Sequence, residues 1–136
     1  ILIHAGYDVS FPGCDESSVD RLTTMIQEIK PEKLVLVHMG GWGQWNEVSS
    51  ILEEDYMKNV YLDTSSCIKK LNHNASLPIE KFKKMVNIHG ADHILFGSDS
   101  PWDDQKDAVD LIKECGFSEK DTDAILGKNA VTLLNL

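Results

Sequence analysis

In Ile94-Leu95-Phe96-Gly97-Ser98-Asp99-Ser100-Pro101-Trp102, three large apolar residues run into a glycine, and an acid and a proline follow. A short run that is apolar at every position suits a strand covered on both faces, as in a parallel sheet. Asp99 then falls just beyond the carboxyl end of that strand, where α/β proteins place their chemistry. Pro101 biases Ser100 toward extended geometry, which predicts a fixed rim around Asp99 and not a flexible loop. A carboxylate at the edge of a core has to be paired, hydrogen-bonded or bound to a cation, because an isolated buried charge is costly.

The same design recurs toward the amino terminus. Val60-Tyr61-Leu62-Asp63 trails into Thr64-Ser65-Ser66, Leu34-Val35-Leu36-Val37-His38 is apolar until its last residue, and Ile1-Leu2-Ile3-His4 opens the chain. Helices are expected between these strands. Val19, Leu22, Ile26 and Ile29 predict one over 17–30, stopped by Pro31 and capped by Asp15, Ser17 or Ser18. Trp45, Val48, Ile51 and Leu52 predict a second over 44–55. Ile79, Phe82, Met85 and Val86 form the stripe of a third, with Pro78 in its first turn and a loop holding Asn72 and Asn74 before it. A fourth is expected over 103–115, opened by Asp103 or Asp104 and stopped by Gly116. Ser118-Glu119-Lys120-Asp121 has the form of a capping box with Asp in place of Glu, ahead of a last helix bent near Gly127. Four strands, each followed by helix and about 25–36 residues apart, read as β-α units of a parallel sheet.

The 136 residues are 42% hydrophobic and 26% charged, an ordinary balance for one globular domain, 1–136, with its own core. Twenty-two acidic against thirteen basic residues leave a net charge of -9, which argues against a nucleic acid or an anionic membrane held by charge. Cys14, Cys67 and Cys115 are widely spaced and make no CxxC pair, so reduced thiols and a cytoplasmic location are expected. No apolar run approaches the ~20 residues of a membrane span, and no signal peptide is visible. The chain begins without methionine inside a strand-like run, as a piece of a longer protein would.

Three of the four strands end in a group that can bind a metal: His4, His38 and Asp99. Parallel strands bring their ends to one rim. Period-two alternation is expected to put Leu2 with His4, Leu36 with His38, and Leu95 and Gly97 with Asp99 on one side of the sheet. Two imidazoles and a carboxylate suit zinc first, with manganese or iron as alternatives, and leave positions for water and a small-molecule substrate. Such an ion lowers the pKa of its water, giving a hydroxide nucleophile, and an adjacent carboxylate can carry the proton. The plainer reading makes both histidines hydrogen-bonded rim residues, and spacing leaves the two readings open. Trp42 and Trp102 are candidates for pocket walls or loop anchors, Asp8 for orienting His4 or binding substrate, and Ser98 for a rim hydrogen bond. Asp63 is a candidate for orienting a ligand. His73, His89 and His93 are assigned no role.

Leu36-Val37-His38-Met39-Gly40-Gly41, Asn59-Val60-Tyr61-Leu62-Asp63-Thr64-Ser65 and Gly90-Ala91-Asp92-His93-Ile94-Leu95-Phe96-Gly97-Ser98-Asp99-Ser100-Pro101 together resemble the amidohydrolase superfamily, closest to the group that also contains non-oxidative decarboxylases. Ile3-His4-Ala5-Gly6 fits that group's fifth strand, and Lys128-Asn129-Ala130-Val131-Thr132-Leu133-Leu134 resembles its closing helix. The resemblance implies the second half, strands five to eight, of a (β/α)8 TIM barrel. It implies His4 as a metal ligand, His38 as a ligand or a substrate-polarising group, and Asp99 as ligand and proton shuttle. The expected activity is metal-dependent hydrolysis of a C–N or ester-like bond by metal-bound hydroxide, with metal-dependent decarboxylation as the alternative. The family's His-x-His strand and its strand-four ligand have no counterpart here, so the isolated chain is expected to be inactive. It is further expected to pair with another copy or with its missing amino-terminal half, because half a barrel leaves strand edges open. A phospho-acceptor fold of the flavodoxin type fits less well, lacking the acid cluster and fifth strand. A TatD-type nuclease also fits less well, since Gly97 stands where that group places a glutamate.

Overall fold

A computed structural model describes residues 1–8, 10–68 and 76–136. The loop with Asn72 and Asn74, and His73 within it, lies outside the described residues. Four strands, β1 Leu2–Ile3, β2 Leu34–Leu36, β3 Val60–Asp63 and β4 Ile94–Leu95, form one sheet in chain order. Every pairing is parallel. The β-α reading is therefore right in order and direction, and the hydrogen-bonded ladder is shorter than the apolar runs suggested.

The register sorts the side chains into two faces. Ile3 pairs with Leu36, Leu36 with Leu62, Leu62 with Ile94, and Leu34 with Val60. These residues form the face covered by helices: Leu34, Leu36, Val60, Leu62 and Ile94 share one apolar cluster with Leu22, Ile26, Phe82, Met85 and Ile112. Truncating a fully buried member such as Leu62 to alanine is expected to cost about 2–5 kcal/mol. The opposite face carries Leu2, Val35, Tyr61 and Leu95. It is the more open one: Leu2 is 68% exposed, and Tyr61 and Leu95 are half-buried.

The helices follow the apolar spacing. They are α1 Val19–Ile29, α2 Trp45–Ile51, α3 Ile79–His89, α4 Gln105–Glu114, α5 Glu119–Asp123 and α6 Asn129–Leu134. Ser18 occupies the cap position of α1 without a side-chain bond. Instead Gln44 Oε1, from the turn before α2, accepts the Val19 N–H at 3.1 Å. The orphan donor of a helix end is thus satisfied by a neighbouring segment, a tertiary solution that local cap chemistry does not reveal. Lys30 takes the left-handed conformation that closes α1 before Pro31. Pro78 stands one residue ahead of α3 and not in its first turn. Asp104, and not Asp103, caps α4 by accepting the Asp107 N–H at 3.0 Å. Ser118 caps α5, its Oγ accepting the Asp121 N–H at 3.1 Å. The chain bends through 124–128 into α6, where Asn129 is buried and donates to the carbonyls of Ala91 and Ile94, 2.7 Å each. That amide ties the last helix to the start of β4. Among the described residues no helix is long and apolar enough to cross a membrane.

Candidate active site

At the carboxyl ends of the strands lies a cavity of about 420 Å³ lined by His4, Tyr7, Asp8, Ser10, His38, Trp42, Ser66, Asp99 and Trp102. The three residues singled out in the sequence are all on its wall. The His4 and His38 rings meet edge to face, their centroids 5.0 Å apart, and Trp42 stacks edge-on against His38 at 5.5 Å.

The route by which His38 reaches the cavity differs from the expected one. His4 follows Leu2, and Asp99 follows Leu95 and Gly97, on the open face. Leu36, however, pairs with Ile3 and lies on the helix-covered face, so strict alternation would send His38 to the wrong side. The chain breaks the alternation instead. His38 and Met39 both take left-handed backbone conformations, φ 57° and 51°. Segment 37–41 makes an excursion, and the chain rejoins β1 when Trp42 N–H donates to the Ala5 carbonyl at 2.7 Å. The imidazole is re-aimed by the turn.

Such turns are concentrated here. Among the described residues six non-glycine residues have positive φ: Lys30, His38, Met39, Ser66, Asp99 and Asn135. Lys30 and Asn135 close helices. The other four follow strand ends, and His38, Ser66 and Asp99 line the cavity. Non-glycine residues pay roughly 1–3 kcal/mol for sparsely populated conformations, and such strain collects at functional sites.

His38 is held from several directions. Its N–H donates to Asp63 Oδ1 at 2.8 Å, and its carbonyl accepts the Trp45 indole N–H at 2.9 Å. Its Nδ1 lies 2.8 Å from the Ser65 carbonyl and 3.2 Å from Ser65 Oγ. A carbonyl can only accept, so Nδ1 carries the hydrogen, and in the neutral ring Nε2 keeps its lone pair. Asp63 Oδ1 also accepts the Ser65 N–H at 3.1 Å and its hydroxyl at 2.6 Å. Gly97 follows from this crowding: a Cβ there would lie 3.1 Å from both Asp63 Oδ2 and Ser65 Cβ. Thr64 completes the junction, with its Oγ1 accepting the Gly97 N–H at 3.1 Å and donating to the Gly97 carbonyl at 3.0 Å.

His4 Nε2 is buried and has no hydrogen-bond partner among the described residues. A buried ring nitrogen is normally satisfied, so this atom fits a ligand to a cation. The remaining donors fit less completely. Among the described residues no group of three or more His, Cys, Asp or Glu side chains converges in metal-holding geometry. What the wall offers is two imidazoles and a carboxylate, a chemistry that suits a divalent ion.

Trp42 and Trp102 both wall the cavity, Trp102 being 80% exposed at its mouth. Asp8 lines it too and accepts the Ser10 N–H at 2.8 Å, closing its own loop. Tyr7, Ser10 and Ser66 escaped the reading of the sequence; their one signal is position, a few residues past a strand end. His89 and His93 sit at the other end of the sheet, where His89 Nε2 bonds the Val60 carbonyl.

A family model described as amidohydrolase matches residues 22–136. The chain belongs to the amidohydrolase family. This amidohydrolase segment takes in His38, Asp63 and Asp99, while His4 lies ahead of the match. No curated protein sequence matches the chain significantly. Solved structures do. A dihydroxybenzoic acid decarboxylase from Polaromonas sp., with bound manganese and 2-nitroresorcinol, is 24% identical at a TM-score of 0.59, over 76% of this chain and 34% of that one. A 5-carboxyvanillate decarboxylase from Sphingomonas paucimobilis is 16% identical at 0.67, over 99% and 49%. An amidohydrolase from Burkholderia multivorans with bound zinc is 15% identical at 0.69, over 87% and 49%. At these identities the likeness is one of fold. The amidohydrolase chain described here spans between a third and a half of these neighbours.

Proposed function

We propose that this chain is the carboxyl-terminal half of a (β/α)8 barrel, strands five to eight, and that it contributes His4, His38 and Asp99 to the centre of a metal-dependent enzyme. The reaction favoured is non-oxidative decarboxylation of a small, planar carboxylic acid. The observation that carries the reading is that His4, whose buried Nε2 has no partner among the described residues, shares one cavity wall with His38 and Asp99. Support for decarboxylation comes from two neighbours that are decarboxylases, and from indole rings suited to a flat substrate. Hydrolysis of a C–N or ester-like bond is the second reading, favoured by the zinc-bound amidohydrolase neighbour.

His4 and Asp99 would hold a divalent ion, with His38 as a further ligand or as a hydrogen-bond acceptor to substrate through Nε2. Bound there, a cation such as manganese or zinc polarises a substrate oxygen and lowers the pKa of water. In decarboxylation the bond between the ring carbon and the carboxylate carbon would break, carbon dioxide would leave, and the electron pair of that bond would stay on the ring carbon. Asp99, after taking a proton from solvent water, would relay it to the ring carbon. In hydrolysis the same carboxylate accepts a proton from water and hands it to the leaving group. Trp42 and Trp102 would flank the substrate. The donors this chain lacks would come from the remaining strands of the barrel, and a small-molecule substrate enters from the rim.

The test is carbon dioxide release from hydroxybenzoic acids by the full-length protein, loaded with manganese or zinc. Asp99→Asn is expected to slow turnover about 100-fold or more. An unchanged rate rejects the role of Asp99. Ester or amide cleavage without carbon dioxide release selects hydrolysis, and no turnover of either class by metal-loaded protein rejects both readings.

A further inference from the structure

We infer that Asp63, acting with Ser65, is a positioning residue that fixes both the strained backbone and the ring tautomer of His38. The inference rests on the reading of His38 as a cavity-facing group of the catalytic centre. It begins from a conflict within the fold. Sheet register assigns the position after Val37 to the helix-covered side, and only the left-handed turn at His38 and Met39 brings the imidazole to the cavity. A turn of that kind persists only where its surroundings hold it.

Beside the Trp45 indole on the His38 carbonyl, one carboxylate oxygen gathers the other bonds that hold the turn. Asp63 Oδ1 accepts the His38 N–H, the Ser65 N–H and the Ser65 hydroxyl, at 2.8, 3.1 and 2.6 Å. The first bond anchors the turn. The other two shape the segment after β3 so that the Ser65 carbonyl faces His38 Nδ1 at 2.8 Å. One oxygen on β3 thereby sets where the imidazole of the neighbouring strand sits and which of its nitrogens is free. Charge strengthens each bond, since hydrogen bonds to an ionised acceptor are roughly twice as strong as neutral ones. Asp63 is 9% exposed and does not line the cavity, so its effect passes through His38 and not through substrate. Gly97 leaves room for the carboxylate on the far side.

The experiment uses the intact protein, labelled with 15N at histidine and freed of metal by chelation, with the His38 signals assigned by difference against His38→Gln. Two-bond proton–nitrogen spectra are expected to show His38 as the Nδ1–H tautomer. In Asp63→Ala the ring is expected to shift to a mixture dominated by Nε2–H, the form free imidazole side chains prefer. Asp63→Asn keeps an acceptor without the charge; it is expected to keep the tautomer while the His38 amide exchanges at least about fivefold faster relative to that of Val35. An Nε2–H tautomer in the unaltered protein overturns the inference, as does an unshifted tautomer in folded Asp63→Ala. Should Asp63→Ala not fold, the Asp63→Asn amide decides: unchanged exchange overturns the inference and faster exchange supports it. These readouts are independent of turnover. Protein that shows the expected tautomer yet binds no metal and turns over nothing sinks the enzymatic reading alone.

Discussion

Gly6 and Trp42 meet backbone to backbone beyond the end of the β1–β2 ladder. A Cβ on Gly6 would stand 2.0 Å from the Trp42 nitrogen and 2.4 Å from its carbonyl oxygen. The pair is locked by Trp42 N–H donating to the Ala5 carbonyl at 2.7 Å and Tyr7 N–H to the Trp42 carbonyl at 2.9 Å. Gly6 also has φ 95°, a conformation costly for any side chain. This contact returns the chain to β1 after the His38 excursion and sets Trp42 against the imidazole. Gly6→Ala is therefore expected to destabilise the fold by at least about 2 kcal/mol, because the clash is with rigid backbone. Urea unfolding of the variant and the parent checks this, and equal midpoints would contradict the contact.

Asn129 offers a second structural test. Its amide nitrogen donates to two carbonyls that flank the start of β4, and the residue is buried. Asn129→Ala leaves those carbonyls without their donor and is expected to cost about 2–3 kcal/mol. Asn129→Asp is expected to cost more, since a carboxylate oxygen would face carbonyl oxygens. A midpoint for the aspartate variant above that of the alanine variant would refute the assignment.

His89 links stability to pH. Burial, the largest cause, holds its pKa below the usual 6.5, although the bond to the Val60 carbonyl pulls the other way. Neighbouring His93 also lowers it and Asp92 raises it. In the window between the lowered native value and 6.5, the unfolded chain binds more protons than the native one. Stability from this group is complete above 6.5 and is lost as pH falls through the native pKa. His89→Gln is expected to flatten that part of the dependence, leaving the contribution of the carboxylates. Denaturation midpoints of both proteins at pH 7.5 and 5 provide the measurement; parallel slopes would argue against it.

Thiol reactivity separates the three cysteines. Cys14 is exposed, whereas Cys67 and Cys115 are buried. Burial pushes the Cys67 thiol well above its usual pKa, the nearby Asp63 charge adds to this, and its Sγ donates to the Thr64 carbonyl at 3.1 Å. Burial raises Cys115 as well. Near neutral pH an aromatic disulfide reagent is expected to label Cys14 quickly and the other two only after unfolding. Fast labelling of Cys67 would show that the segment after β3 opens readily.

Apolar runs and helical spacing were enough to specify the order of four parallel β-α units, the capping role of Ser118, the break near Gly127 and most of the buried stripes of α1 and α3, although Ile29 and Ile79, at the ends of those stripes, are exposed. They were enough because each depends on local burial period and local cap chemistry, which neighbours in sequence carry. The same reading named His4, His38 and Asp99, since residues closing parallel strands share a rim whatever the loops do. Only the tertiary structure decided how His38 arrives there. Period-two alternation placed Leu36 with Leu2 on the cavity side, whereas the register puts Leu36 on the helix-covered face, and a left-handed turn, held by Asp63 from the adjacent strand, brings His38 back to the rim. Gln44 as the cap of α1, the Gly6–Trp42 contact and the place of Tyr7 and Ser66 on the cavity wall are of the same kind. Each depends on groups distant in sequence meeting at hydrogen-bond range, and a one-dimensional pattern carries no distances.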